Sequence, residues 1–278
     1  MMNLKKIYQI LRYQILGRHY YGITSTSRSL PDFLIIGGVR CGTTSLYYNL
    51  CHHPSVEKAA YDEIGFFDDN YHLGLNWYRS MFPTKNKMDA IRKKTGNCIT
   101  GEDTPFYIWN KDAVKRIKNL LPKIKLIVIL RNPADRAYSN YHLSLREGTE
   151  KRSFENAIKQ DIEFINNKKD KKEELTNQDF KTSYIAKGLY FDQLKTWFKM
   201  FDENQICTIF TEDLQKDPED TMKKIFGFLQ LPDFLIERFE RQKMTNYNEM
   251  NDDVRKDILQ YYEPYNKQLS ELIKTKCW

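Results

Sequence analysis

The stretch that most constrains this chain is residues 33–46. Phe33, Leu34, Ile35 and Ile36 form an unbroken apolar run, the pattern of a strand covered on both faces in a parallel sheet. Gly37, Gly38 and Gly42 follow, and they let the backbone bend and approach a ligand closely. Thr43 and Thr44 then open a helix whose inward face carries Leu46 and Leu50, with Pro54 beyond its end. Amide N–H groups at a helix N-terminus point at whatever sits there, so strand, glycine turn and helix together make a phosphate cradle. The chain is therefore expected to fold as an α/β domain with a parallel sheet flanked by helices.

The cradle departs from the P-loop of nucleotide-hydrolysing enzymes. In the pattern G-x-x-x-x-G-K-[ST], Gly37, Gly42 and Thr44 hold the fixed positions, but Thr43 stands in the lysine slot. The cation, Arg40, lies inside the loop instead. The missing lysine would serve the outer phosphates of a triphosphate, so this loop suits a single terminal phosphate or sulfonated phosphate. An ordinary strand–turn–helix with incidental glycines is the competing reading.

A second anion site is expected at another strand end. Residues 126–130 are the clearest strand, followed by Arg131, then Asn132 as N-cap and Pro133 as first helical residue. Ligands of open α/β sheets bind at strand ends, where an NTPase often places an aspartate that holds magnesium. Arg131 in that place points to a second anionic group on the ligand and to chemistry without a metal. Its alternative is a surface arginine paired with a carboxylate. Ser139, two turns into the helix, gains no role from geometry alone. Residues 57–69 read as a loop with carboxylates beside paired aromatics. Glu63, next to Ile64, Phe66 and Phe67, is the candidate general base, because partial desolvation would raise its pKa toward a useful range. A solvated surface glutamate is the alternative.

Composition narrows the classes further. At 278 residues the chain can bury a full core, and its net charge of +7 suits anionic ligands. It has neither an aromatic–basic recognition motif nor zinc-ligand spacing, so nucleic acid is not an expected partner. Five scattered cysteines with no C-x-x-C indicate reduced thiols and a cytoplasmic address. No stretch reaches the ~18 apolar residues of a membrane span. Residues 1–21 are basic and amphipathic (Leu4, Ile7, Tyr8, Leu11 and Ile15) without a signal peptide's apolar run. They read as a packed leading helix, with a peripheral membrane contact as the other use of that face. The expected division is a leading helix and linker over 1–30 and one domain over 31–278. Further strands are expected at 98–102 and 206–210, a charged connection at 86–96, and a solvated charged loop at 166–179.

Taken together, five segments resemble the PAPS-dependent sulfotransferases, closest to the glycan-acting, heparan sulfate-type branch. They are residues 35–46, Asp62-Glu63-Ile64-Gly65-Phe66-Phe67-Asp68, Gly101-Glu102-Asp103-Thr104-Pro105, 129–139 and 188–194. The resemblance covers the chain from Pro31 to its C-terminus and implies a single sulfotransferase domain on a P-loop-type sheet. The cosubstrate it implies is 3′-phosphoadenosine 5′-phosphosulfate (PAPS), used without metal. Arg40, Cys41, Gly42, Thr43 and Thr44 would hold the 5′-phosphosulfate, and Arg131 and Ser139 the 3′-phosphate. Glu63 would be the catalytic base, assisted by Arg40. Phe66, Phe67, Asp103, Thr104, Pro105 and Phe106 would border a carbohydrate or other small acceptor. The family usually has lysine where Arg40 stands, often histidine where Gly65 stands, and in heparan-acting members a basic residue where Asp103 stands. Arginine's planar fork is not an ammonium, Gly65 can assist no proton transfer, and Asp103 disfavours a highly sulfated acceptor. Two other functions fit parts of the pattern. One is a P-loop nucleotide kinase or NTPase, against which Thr43 and Arg131 speak; the other is a module that binds PAPS or its bisphosphate product without turnover. No motif specifies the acceptor or the oligomeric state.

Overall fold

The computed structural model describes residues 23–240 and 248–278. The expected leading helix over 1–21, and any membrane contact through it, lies outside the described residues. Five parallel strands form one sheet in the order β2-β3-β1-β4-β5. They are β1 (Phe33–Gly37), β2 (Val56–Lys58), β3 (Ile99–Asp103), β4 (Lys125–Leu130) and β5 (Ile206–Phe210). The P-loop-type sheet flanked by helices is thus present. All five residues of β1 and of β3 are buried, as are the last five of β4, which is why β1 and β4 read as continuous apolar runs.

Register places the functional strand ends side by side. In β1, Ile35 is level with Asp103 of β3 on one side and Ile127 of β4 on the other. Adjacent strands lie about 4.8 Å apart, so the loops leaving β3, β1 and β4 form one row at the same edge of the sheet. Helix α1 (Thr43–Leu50) follows β1 and buries Leu46 and Leu50 as its spacing predicts. Tyr47 from the same helix donates its hydroxyl to the Gly101 carbonyl at 2.9 Å, tying α1 to β3.

Three local expectations are corrected. Glu57 belongs not to a loop but to β2, a three-residue strand at the edge of the sheet that pairs with β3. Residues 86–96 are not a connection. They lie in α3 (Lys85–Thr95), which follows a short α2 (Leu75–Ser80) and is capped by Thr84 and Gly96. The charged run 166–179 is mostly helical. Helix α4 (Lys111–Leu120) and α5 (Pro133–Glu147) come before it; α6 (Phe154–Asp170) then runs into it, and α7 (Asn177–Thr182) starts within it on a Thr176–Asp179 capping box. Beyond it, α8 (Tyr190–Met200) packs against α4 and α11 (Asp252–Ile273). Helices α9 (Thr211–Lys216) and α10 (Pro218–Phe228) follow β5.

Candidate active site

The loop from Gly38 to Gly42 leaves the end of β1 and is pinned from two sides. The Gly38 amide donates to the Ile129 carbonyl at 2.5 Å, and the Thr211 hydroxyl donates to the carbonyls of Cys41 and Leu130 at 2.6 and 2.9 Å. Gly42 sits at φ +92°, a left-handed conformation that glycine adopts without a Cβ penalty, and it caps α1 with no side chain of its own. The first turn of α1 thus presents its amides and the positive end of its dipole beside the loop. Gly37 is needed for a different reason. A Cβ there would meet Ile108 Cδ1 at 2.6 Å.

The cations converge. Arg40 adopts φ +66°, a conformation uncommon outside glycine, and its Nε donates to Ser139 Oγ at 3.2 Å. Arg131, at the end of β4, donates from Nη1 to the Arg40 carbonyl at 3.4 Å. Both guanidiniums are half-buried, and the Ser139 side chain is nearly covered. Asn132 caps α5 through the Ala134 and Asp135 amides, as its place before Pro133 predicts. Arg40, Arg131 and Ser139 therefore form one cluster. The Arg40 charge lies on the β4 side of the cradle.

Glu63 lies on the other side. Its amide donates to the Asp103 carbonyl at 3.0 Å, and the Thr104 amide donates to the Ile35 carbonyl at 3.0 Å, so its segment rests on the end of β3 next to the cradle. Like Arg40 it has a left-handed backbone, φ +54°, and residues held in such conformations cluster at functional sites. Its side chain is exposed, which corrects the expectation of a desolvated carboxylate. A desolvated carboxyl is found instead at Glu102 of β3, fully buried, with its pKa pushed up to about 7 by that burial.

The residues expected to border the acceptor are mostly core. Phe66 is 1% and Phe67 0% exposed. Phe66 stacks on Tyr78 at 4.3 Å, and Phe67 meets Tyr78 and Tyr107 edge-on. Asp103, Thr104 and Pro105 are buried as well, so Asp103 displays no carboxylate to an acceptor, and of the six Phe106 alone is half-exposed. Cys41 is also turned inward. Its thiol lies 3.4 Å from the Tyr190 hydroxyl, its amide donates to the Gly38 carbonyl, and burial pushes its pKa up. Thr43 and Thr44 are 5% and 7% exposed.

Several supporting residues have no assigned role in the sequence reading, where Lys187 is only a further candidate contact for the cosubstrate. Tyr190 donates to the Arg131 carbonyl at 3.0 Å while contacting Cys41, bridging the two loops. Arg136 is fully buried beneath the second loop and donates to the Tyr184 carbonyl. Lys187, buried near it, is pushed down to about 7 by that burial and by the Arg136 charge. Glu102 was quoted in a motif but given no role. A carboxylate four residues along a buried parallel strand was the available signal. Among the described residues, no group of histidine, cysteine, aspartate and glutamate is placed to hold a metal ion.

The amides at the start of α1 and the Arg40, Arg131 and Ser139 cluster beside them are together the anion donors of the site. Comparison with known proteins gives the family. The family model for the sulfotransferase domain matches residues 30–267. Membrane-associated sulfotransferase kil1 of Dictyostelium discoideum is 25% identical over 88% of this chain and 65% of its own length. The mouse heparan sulfate glucosamine 3-O-sulfotransferase 3A1 is 33% identical over 76% of this chain and 49% of its own. The human bifunctional heparan sulfate N-deacetylase/N-sulfotransferase 3 is 29% identical over 92% and 31%. This chain thus spans less than two thirds of those relatives. A crystal structure of a sulfotransferase from Alicyclobacillus acidocaldarius superposes with a TM-score of 0.67 at 25% identity, covering 90% of this chain and 98% of that one. With cradle, sheet order and family model in accord, the chain belongs to the sulfotransferase domain family.

Proposed function

We propose that the chain transfers a sulfuryl group from PAPS to a hydroxyl of a carbohydrate or other small acceptor, an amine being the second choice, with Glu63 as general base. One observation carries this reading: three adjacent strand ends present, in order, the Glu63 segment at β3, the amide cradle at β1 and, at β4, Arg131 and Ser139 joined through Arg40. That is the order acceptor, reacting group, nucleotide phosphate. PAPS supplies an activated sulfuryl group whose leaving group is a phosphate. Glu63 takes the acceptor's proton as its oxygen bonds to sulfur and the bond from sulfur to the bridging oxygen breaks. The α1 amides and Arg40 stabilise the charge left on that phosphate, a contribution of about 3–4 kcal/mol for one well-placed donor. Arg131 and Ser139 hold the ribose-linked phosphate, and 3′-phosphoadenosine 5′-phosphate is the product.

The heparan sulfate-acting relatives support a glycan acceptor. Five free thiols support a reducing compartment such as the cytoplasm, while one relative is named as membrane-associated. Among the described residues no helix is long and apolar enough to cross a membrane. The limits 1–30 and 31–278 remain the proposed division of the chain. The test is transfer of radiolabelled sulfate from PAPS to a glycan panel. The native chain is expected to label at least one acceptor, and Glu63→Gln is expected to lose labelling while still binding the bisphosphate product. Undiminished labelling by Glu63→Gln would remove Glu63 as the base. Product binding with no labelling by the native chain would leave a binding module.

A further inference from the structure

Glu102 carries a carboxyl into a strand whose residues are all buried. Its Oε1 accepts from the hydroxyls of Tyr78 at 2.7 Å and Tyr107 at 3.2 Å, and its Oε2 accepts from the Thr104 hydroxyl at 2.7 Å. Two of these hydroxyls have a second task. Thr104 Oγ1 accepts the Gly65 amide at 3.2 Å, and the Tyr107 oxygen accepts the Phe67 amide at 3.3 Å. Both amides belong to the segment that carries Glu63. A hydroxyl has one proton, so one that accepts from an amide can still donate only in a single direction. Here both donate to Glu102.

We propose that Glu102 is a positioning residue for the transfer reaction: by taking the Thr104 and Tyr107 protons it orients both hydroxyls as acceptors, fixes the Gly65 and Phe67 amides, and so holds Glu63 over the end of β3. The effect on rate rests on Glu63 being the base, whereas the hold on the segment stands independently of that reading.

The arrangement depends on charge. An ionised carboxylate accepts charge-assisted bonds from all three hydroxyls, whereas a protonated one accepts more weakly from each and must place a proton of its own, so both hydroxyls that hold the segment are oriented less firmly. The groups that face Glu102 are Tyr78 from α2, Thr104 and Tyr107 just beyond β3, and Asp68 from the Glu63 segment. Burial and the Asp68 charge raise its pKa while the three hydroxyls lower it, and the balance falls at about 7. The hold on the segment is therefore firm above neutral pH and loosens below it.

Hydrogen exchange at the Gly65 and Phe67 amides tests the proposal in the full chain, measured at pH 6 and pH 8 and corrected for intrinsic exchange. In the native chain both amides are expected to lose about tenfold protection at the lower pH, the equivalent of one hydrogen bond. Glu102→Gln should show the lower protection at both values. Tyr78→Phe holds no amide of the segment but removes a hydroxyl that lowers the Glu102 pKa, so at pH 8 it should keep more protection than Glu102→Gln and less than the native chain. In transfer assays, Glu102→Gln should lower kcat about tenfold, leave KM for PAPS unchanged, and abolish a step in the kcat–pH profile near 7. Native-like protection in Glu102→Gln, or equal loss in Tyr78→Phe, would overturn the proposal. If Glu102→Gln does not fold, Thr104→Val should expose Gly65 and spare Phe67, and retained protection at Gly65 would refute it. A native chain that labels no acceptor would defeat the proposed reaction, and the exchange data would still decide whether Glu102 holds the segment.

Discussion

Replacing Glu102 by glutamine removes a titration from the middle of the core, and the consequence for stability follows from its two pKa values. In the unfolded chain this side chain titrates at the ordinary 4.5, and in β3 it is pushed up to about 7. A folded-state value above the unfolded one means the folded chain binds the proton more tightly, so stability falls as pH rises between the two. At pH 5 the penalty is on the order of 1 kcal/mol and at pH 8 about 3 kcal/mol, so the native chain should lose about 2–3 kcal/mol relative to Glu102→Gln across that interval. Lys187, pushed down to about 7, works the other way above neutrality, but it is common to both proteins and drops out of the difference. Urea denaturation of the two proteins at half-unit pH steps measures the quantity directly. Parallel stability curves would show that Glu102 ionises as readily folded as unfolded and would refute the reasoning.

Further outcomes follow from the same geometry. Glu63→Gln should reduce sulfate transfer by about 10²–10⁴-fold, the usual worth of a general base, with the affinity for 3′-phosphoadenosine 5′-phosphate retained in calorimetry. Arg131→Ala should weaken that bisphosphate by roughly 10- to 150-fold, the loss of one charged hydrogen bond, and barely affect AMP, which has no ribose-linked 3′-phosphate. Gly37→Ala should lower stability by about 1–3 kcal/mol in denaturant titration, because its new methyl would fall 2.6 Å from Ile108 Cδ1 with both residues buried.

The cradle was legible because its signals are local. An apolar run, a glycine turn and a threonine-led helix specify themselves within fourteen residues, and the register of β1 against β4 then brings Arg131 to it. What escaped depended on tertiary context. Val56–Lys58 carries one apolar residue, so its strand arises from pairing with β3 at the sheet edge. Lys85–Thr95 buries Met88 alone, and caps at both ends mark the helix where apolar periodicity does not. Phe66 and Phe67 flank an exposed glutamate in sequence, yet they turn inward because Tyr78 and Tyr107 offer aromatic partners from other elements. Glu102 was hidden for the same reason. Its hydroxyl partners come from α2 and from the turn beyond β3, and no spacing within the strand announces them.

The central claim, a nucleotide held by one anion site at the β1 loop and another at the β4 end, is tested most directly by calorimetric titration in EDTA with 3′-phosphoadenosine 5′-phosphate and with AMP, and in magnesium buffer with ATP. The bisphosphate should bind at least tenfold more tightly than AMP with no metal present, and a saturating excess of about 100 Kd should stabilise the fold by about 2.7 kcal/mol. Equal affinity for AMP and the bisphosphate, or binding of magnesium ATP alone, would contradict it.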